Sequence, residues 1–184
     1  MSQWSPDRLQ KAWRFAARYH EGQTYGGANE GERIDYLVHI GSVAMEVAWG
    51  LTVLPLPNPD LAIQCALLHD TLEDTAATYD QLRTEFGAEV ADGVQALTKN
   101  SQIPNKAEQM ADSLRRIQTQ PYEVWLVKLA DRITNLQAPP YYWDRAKIGA
   151  YRAEGQQIYD ALHPAHAPLA ARLAAKIDQY QQFL

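Results

Sequence analysis

The 184-residue sequence contains a single cysteine, Cys65, which excludes an intrachain disulfide and a cysteine-based zinc site. No uninterrupted apolar run approaches the roughly 20 residues that a membrane-spanning helix needs. Met1–Gln10 is polar and lacks the apolar stretch of a signal peptide. Together these absences predict a protein of the reducing cytoplasm with no membrane partner.

The sequence also has fewer basic than acidic residues. Lysine and arginine total 17 against 22 aspartates and glutamates, and the formal net charge is −5. This balance argues against nucleic acid as a partner, although a local basic pocket is enough for a small polyanionic substrate. Hydrophobic residues make up 46% and charged residues 21%, which is typical of a globular protein. We expect one domain over residues 1–184, and the sequence does not predict its oligomeric state.

Helical periodicity accounts for most of the chain, and no useful stretch shows the alternation typical of strands. Leu61–Leu72 is apolar nearly all round, which predicts a buried helix that includes Cys65. The glycines of Gly22–Glu32 predict a long loop. Pro164 predicts an exposed turn that carries His163 and His166. We therefore expect an all-α bundle of roughly eight helices, with three tryptophans in its core: Trp13, Trp49 and Trp125.

Four ionisable side chains end the apolar helix: His69, Asp70, Glu73 and Asp74. If the helix continues, His69 shares a face with Glu73 and Asp70 shares a face with Asp74. Burying unpaired charge is costly, and a divalent cation would neutralise the carboxylates while accepting an imidazole nitrogen. Mixed histidine and aspartate ligation suits manganese, iron or zinc. A His-Asp dipeptide alone is more often a polar helix end with a structural histidine.

Two further positions sit in similar settings. Asp131 follows the apolar stretch Val124–Ala130, and Asn135 shares its helical face one turn later. An ordinary surface cluster of Asp131 with Arg132 is an equally good interpretation of that segment alone. His39 begins a helical pattern just after the glycine-rich loop, where a lone histidine is more often structural than a ligand.

Taken in order, these residues resemble the HD-domain metal phosphohydrolases, and more closely the hydrolase domain of the RelA/SpoT family of alarmone enzymes. Phe15–Gln23 looks like that family's FAxxxHxGQ opening, Asp35–His39 like its PYIxH and His69–Thr75 like its HDxxEDT. Three more matches follow: Phe86–Val90 with FGxEV, Leu97–Lys99 with LTK, and Lys128–Asn135 with KLADRxxN. The chain has room for one hydrolase domain, so it is most similar to the small stand-alone alarmone hydrolases of the metazoan type.

The resemblance implies an HD-domain fold and one manganese ion held by four ligands: His39, His69, Asp70 and Asp131. It implies that Glu73 and Asp74 position and deprotonate the attacking water, with Glu73 the preferred general base. The implied reaction removes the 3′-pyrophosphate from ppGpp or pppGpp, the signals of the stringent response. Its products are the nucleoside 5′-di- or triphosphate and pyrophosphate.

The resemblance also implies substrate contacts. Asn135 matches an asparagine that touches the substrate, and Lys147 with Tyr151 resembles a basic and aromatic pair lining the pocket. Lys99 is a weaker candidate for contact with phosphate.

One departure from the family concerns the base-reading loop. The family usually has an Arg-Lys pair after GQ, whereas Gln23 is followed here by Thr24–Gly27. Tyr25 can stack on a base but supplies no charge, and Arg33 is a candidate substitute. Guanine and adenine alarmones therefore both stay open as substrates. Another HD-domain nucleotide phosphohydrolase is the alternative enzyme, and a non-catalytic nucleotide-binding helical module is the alternative outside enzymes.

Overall fold

The computed structural model describes residues 4–184, and helices dominate it. In chain order the elements are α1 Pro6–Tyr19, β1 Thr24–Gly26, β2 Arg33–Asp35, α2 Tyr36–Val53, α3 Pro59–Leu68, α4 Thr71–Asp74, α5 Tyr79–Phe86, α6 Ala88–Leu97, α7 Lys106–Gln118, α8 Tyr122–Asn135, α9 Arg145–Leu162 and α10 Ala167–Tyr180. Short 3₁₀ turns at His163–Ala165 and Gln181–Phe183 follow α9 and α10. The prediction of a bundle built almost entirely of helices is confirmed.

Helix α3 is the innermost element, and every one of its residues except Asp60 is buried. The Asn58 side chain caps it by accepting a hydrogen bond from the Leu61 amide, and Pro59 occupies the first turn, where no amide donor is needed. The helix packs against α1, α2, α6 and α8. The prediction of a buried helix with Cys65 in the core is confirmed.

Helix α3 ends earlier than the sequence indicated. It stops at Leu68, and α4 begins at Thr71, so His69 and Asp70 lie in a break between two helices. Side chains take the carbonyls that the break leaves free, because the Thr71 hydroxyl donates to the Leu68 carbonyl and His69 Nδ1 lies 2.8 Å from the Ala66 carbonyl. The expectation of one continuous helix over Leu61–Leu72 was wrong.

The predicted loop over Gly22–Glu32 contains a small antiparallel hairpin. Strands β1 and β2 pair Thr24 with Asp35 and Gly26 with Arg33. Gly31, at the hairpin turn, has a φ of 79°, a conformation that favours glycine. These three-residue strands are too short to show a pattern of alternation, which is why the sequence did not reveal them.

Helix α2 has a largely apolar face that is not covered. By length and composition it could cross a membrane, with a mean hydropathy of 1.3, and 33% of that segment is buried. The core helix of a soluble protein passes the same test, and α2 packs against α3 and α8. Trp49 on this face and Trp13 on α1 are 42% and 37% exposed, so the expectation that both belong to the core was wrong.

His166 was also placed wrongly by the sequence. It is buried between α2 and α10 and is not part of an exposed turn. Its Nδ1 accepts a hydrogen bond from the Leu169 amide and caps α10, while Nε2 lies 2.9 Å from the Leu54 carbonyl. His163, in contrast, is exposed as expected.

Candidate metal centre

The four side chains implied as metal ligands lie close together, and three of them, His39, His69 and Asp70, form a group that could hold a metal ion. His39 Nε2 lies 3.2 Å from His69 Nε2 and 3.5 Å from both Asp70 Oδ2 and Asp131 Oδ1. His69 Nε2 lies 3.0 Å from Asp70 Oδ2 and 3.9 Å from Asp131 Oδ1. The donor atoms of His39, His69 and Asp70 all lie within 4.8 Å of one another, which is close enough for them to share one ion, and Asp131 Oδ1 lies near both imidazoles.

Three helices supply these residues, and the chain folds locally to hold each of them. His39 lies in the first turns of α2, whose start is capped by Asp35. His69 and Asp70 occupy the break after α3, which turns both side chains toward α2. Asp131 comes from the buried middle of α8. The packing of α2 and α8 against α3 therefore assembles the centre.

The donor chemistry fits a divalent cation. The Ala66 carbonyl can only accept, so His69 Nδ1 carries the ring proton and Nε2 presents a lone pair. The Thr134 hydroxyl donates its proton to the Asp131 carbonyl. The hydroxyl oxygen can therefore accept a hydrogen bond from His39 Nδ1, which lies 3.5 Å away. Both imidazoles thus direct lone pairs at two carboxylate oxygens. Such a cluster repels itself unless positive charge lies at its centre.

A proton can supply that charge when a metal ion does not. Burial by itself would lower the pKa of His69, but Asp70 and Asp131 raise it to about 9. Burial likewise opposes ionisation of Asp131, yet Lys128 and the two histidines hold its pKa well below the usual range. The centre therefore favours ionised carboxylates and any cation that fits between them.

Asp131 is oriented by two neighbours on its own helix. Lys128 Nζ donates to Oδ2 at 2.9 Å, and the side chains of both residues are about 9% exposed. Asn135 Nδ2 donates to Oδ1 at 2.5 Å. The lysine therefore holds one carboxylate oxygen away from the centre and leaves Oδ1 facing the histidines.

The two predicted catalytic carboxylates lie in different surroundings. Glu73 accepts hydrogen bonds from the Lys99 backbone amide at 2.8 Å and from Lys99 Nζ at 3.2 Å. Asp74 Oδ2 instead accepts from the Tyr36 hydroxyl at 3.1 Å, and the same hydroxyl donates to Asp70 Oδ2 at 2.6 Å. Burial, followed by the charge of Asp70, raises the pKa of Asp74 above its ordinary value. Asp74 is therefore the carboxylate connected to the metal ligands.

The predicted substrate contacts differ in how they relate to this centre. Tyr25, on the hairpin, meets the Tyr36 ring edge-on at 6.2 Å between centroids. Lys147 Nζ lies 4.3 Å from the centre of the Trp143 ring, and Tyr151 packs edge-on against the same tryptophan at 4.9 Å. Tyr151 is also close enough to Asp131 for that charge to help raise its pKa, after burial. Asn135 and Lys99 already contact Asp131 and Glu73, as described above.

A cavity of about 710 Å³ opens beside Glu73 and Lys99, between α6 and α7. Arg116 lines it and donates hydrogen bonds to the carbonyls of Gln95, Ala96 and Thr98. The sequence had suggested no pocket there, because its lining comes from scattered polar residues with no recognisable spacing.

Sequence reasoning also missed three residues that support the centre: Tyr36, Lys128 and Thr134. All three lie inside the quoted motifs, Thr134 at a position where the motif allows any residue, so their presence was visible but their contacts were not. Thr134 has no sequence signal beyond its spacing of three residues from Asp131.

Comparisons with known proteins identify the family of the chain. The chain matches the HD domain family over residues 12–175. It is 31% identical over 163 residues to the guanosine-3′,5′-bis(diphosphate) 3′-pyrophosphohydrolase MESH1 of Danio rerio, with 86% of each chain covered. A GTP pyrophosphokinase of Myxococcus xanthus is 36% identical over 185 residues, covering 94% of this chain and 22% of the relative. The chain thus spans about a fifth of that longer relative's length.

A solved structure shares the fold. The description of that structure is that a metazoan ortholog of SpoT hydrolyzes ppGpp and plays a role in starvation responses. Its TM-score is 0.81 at 22% sequence identity, and the match covers 97% of this chain and 98% of the other.

Proposed function

The chain belongs to the HD-domain family, among relatives that include MESH1, and from this membership we propose that it is a metal-dependent hydrolase that removes the 3′-pyrophosphate from nucleotide alarmones. The observation that carries the proposal is the cluster of His39, His69 and Asp70, which Asp131 approaches. The carboxylates of Glu73 and Asp74 lie on the short helix that follows Asp70. MESH1 is named for this reaction on guanosine-3′,5′-bis(diphosphate).

Manganese is the proposed ion, one per chain. Two imidazole nitrogens and two carboxylate oxygens suit manganese, iron or zinc, and they leave coordination positions open for water and substrate. Such an ion supplies Lewis acidity, which lowers the pKa of a water molecule and offsets charge on phosphoryl oxygens.

In the proposed reaction, water attacks the phosphorus that is bonded to the 3′ oxygen of the ribose. The bond between that phosphorus and the 3′ oxygen breaks, the 3′ oxygen gains a proton, and pyrophosphate leaves with the oxygen of the water. The nucleoside 5′-di- or triphosphate is the other product. A carboxylate must accept a proton from the water as it attacks.

Asp74 is better placed than Glu73 to accept that proton. Its carboxylate is connected through the Tyr36 hydroxyl to the proposed metal ligand Asp70. Glu73, which the sequence favoured, is engaged through both oxygens by Lys99. We propose that the Glu73–Lys99 pair lines the phosphate side of the site, where Lys99 offers the positive charge that a pyrophosphate group needs.

The remaining substrate contacts are proposed from position. Tyr25 and Asn135 contact residues of the centre, and Tyr151 and Lys147 flank Trp143; we propose that these four side chains bind the purine and its phosphates. Tyr25 replaces the charged residues of the family with an aromatic face. Both guanine and adenine alarmones therefore belong to the proposal. A different phosphorylated nucleotide is the alternative substrate, and a non-catalytic nucleotide-binding module is the alternative outside enzymes.

The wider context follows from composition and from the extent of the family match. We propose a single domain that spans the chain, acting in the cytoplasm on a small polyanionic nucleotide and having neither nucleic acid nor a membrane as partner. The net charge of −5 supports this view of its partners.

The test of the site assignment uses variants and two assays. We expect Asp70→Ala to lose manganese binding and Glu73→Ala to keep the metal while losing turnover. Comparing Glu73→Gln with Asp74→Asn separates the two carboxylates, and the larger loss of kcat, about 100-fold or more, is expected for Asp74→Asn. Full activity in both variants would contradict the assignment of a general base to this pair.

The substrate is tested by assaying guanosine and adenosine 3′-pyrophosphates side by side with manganese. Release of pyrophosphate from either nucleotide supports the proposal, and the ratio of kcat/KM values identifies the base. Failure with both nucleotides, in protein that binds manganese, would favour the alternative substrate.

A further inference from the structure

Tyr36 lies where it can act on both the metal centre and the water-activating carboxylates. It is the first residue of α2, three positions before His39. Its hydroxyl lies 2.6 Å from Asp70 Oδ2 and 3.1 Å from Asp74 Oδ2. Among the side-chain hydrogen bonds of the described residues, it is the link between a proposed metal ligand and a predicted catalytic carboxylate.

The ring of Tyr36 is held firmly in this position. Its backbone amide donates to the Gln23 carbonyl at 2.9 Å, which ties the start of α2 to the hairpin base. The ring stacks on His20 with 5.0 Å between centroids and 24° between planes. His20 Nδ1 lies 2.7 Å from Gln23 Oε1, and the Gln23 amide donates to the Asp74 carbonyl at 2.7 Å. The same group of side chains therefore supports Tyr36 and the backbone of Asp74.

The hydroxyl has one proton for two carboxylate acceptors. The shorter contact is to Asp70 Oδ2, which is also the oxygen 3.0 Å from His69 Nε2 and thus faces the metal position. If Asp70 Oδ2 held a cation, it would be a poorer acceptor, and the Tyr36 hydroxyl would donate more strongly to Asp74. Metal binding would in this way change the hydrogen bond to Asp74, the carboxylate proposed to accept a proton from the attacking water.

We propose that Tyr36 is a positioning residue that fixes the Asp70 carboxylate for the metal ion and, once the ion is bound, orients Asp74. This inference rests on the proposed function, because it takes the four-residue centre as the metal site. It adds a residue to which neither the sequence motif nor the spacing of ligands gave a role.

The test is the conservative variant Tyr36→Phe, which keeps the ring on His20 and removes only the hydroxyl. A matched control exists in Tyr79→Phe, because the Tyr79 hydroxyl also donates to an aspartate, Asp92, at 2.6 Å but does so on the exposed surface. Manganese affinity is measured by titration with the electron paramagnetic resonance signal of free Mn²⁺. Loss of a residue that orients a metal ligand typically weakens binding by about 10- to 100-fold.

We expect Tyr36→Phe to bind manganese about 10-fold or more weakly and to lower kcat even at saturating metal, whereas Tyr79→Phe stays within about twofold of wild type in both. Circular dichroism and thermal melting of the metal-free proteins show whether each variant is folded. Should Tyr36→Phe melt too low for titration, the manganese-induced rise in its melting temperature replaces the affinity, and a rise equal to that of wild type would overturn the proposal.

Equal manganese affinity in Tyr36→Phe and wild type would overturn the inference while leaving the proposed function standing. An equal loss of manganese affinity in both tyrosine variants would also overturn the inference, since such a result would indicate a general effect on folding. Wild-type protein that binds no manganese would instead count against the proposed function itself.

Discussion

Replacing Lys128 by methionine is expected to destabilise the metal-free protein strongly. The side chain of Lys128 is buried beside Asp131, with 2.9 Å between Nζ and Oδ2 and about 9% exposure on each side. Methionine preserves the length of the side chain and most of its packing, but it leaves the Asp131 carboxylate without its nearest cation. Lys128→Met is therefore a test of charge at the centre more than of packing.

The expected magnitude follows from burial. Removing one partner of a buried ion pair costs about 3 to 5 kcal/mol, because the remaining charge stays out of water. The imidazoles near Asp131 Oδ1 can compensate in part, so we expect about 3 kcal/mol. For a chain of this size, that lowers the melting temperature by about 6 to 12 °C.

The assay is thermal and urea unfolding with and without manganese. The matched control is Lys11→Met, because Lys11 and Glu85 are also 2.9 Å apart but are 52% and 47% exposed. An exposed pair contributes less than about 1 kcal/mol. Manganese is expected to reduce the difference in the free energy of unfolding between Lys128→Met and wild type. Equal losses in the two lysine variants, or no loss in Lys128→Met, would refute the reasoning about the buried charge.

Three further predictions address other parts of the molecule. In metal-free protein, the raised pKa of His69 contributes stability that is fully present below pH 6.5 and is lost as the pH rises through about 9. At about 1.4 kcal/mol per unit this is about 3 kcal/mol, and urea unfolding across that range measures it; an unchanged free energy of unfolding would contradict the shift. Binding of manganese displaces the proton held by His69, so isothermal titration in buffers of different ionisation enthalpy should detect release of about one proton at pH 7.5. The absence of proton release would contradict this displacement. His166→Ala removes the cap of α10 and the partner of the Leu54 carbonyl, with an expected loss of about 2 kcal/mol in the free energy of unfolding and no change in manganese affinity; a drop under about 0.5 kcal/mol would show that water replaces both contacts.

The sequence predicted the fold well where apolar residues repeat over long stretches. Helix α3 is the clearest case, since its unbroken apolar character identified it as buried before any contact was known. The break at His69 and Asp70 was not predicted, because it depends on side chains of Thr71 and His69 bonding to nearby carbonyls. Helical periodicity cannot distinguish that break from a continuous turn.

The metal centre was predictable as a set of residues but not as a network. Ordered motifs predicted four ligands, and their spacing suggested that Asp70 and Asp74 share a turn, as the hydrogen bond from the Asp74 amide to the Asp70 carbonyl indicates. The links through Tyr36 and Lys128 required three-dimensional contacts between α2, α4 and α8. His166 illustrates the opposite error, because a residue beside proline looked exposed although distant segments cover it.

The most direct test of the account is manganese-dependent release of pyrophosphate from a 3′-pyrophosphorylated nucleotide by the wild-type protein. Purified protein is stripped of metal, its metal content is measured, and guanosine and adenosine substrates are assayed before and after manganese is restored. We predict about one manganese ion per chain and turnover of at least one substrate only when manganese is present. Failure to bind the ion, together with no turnover of either nucleotide, would contradict the central claim.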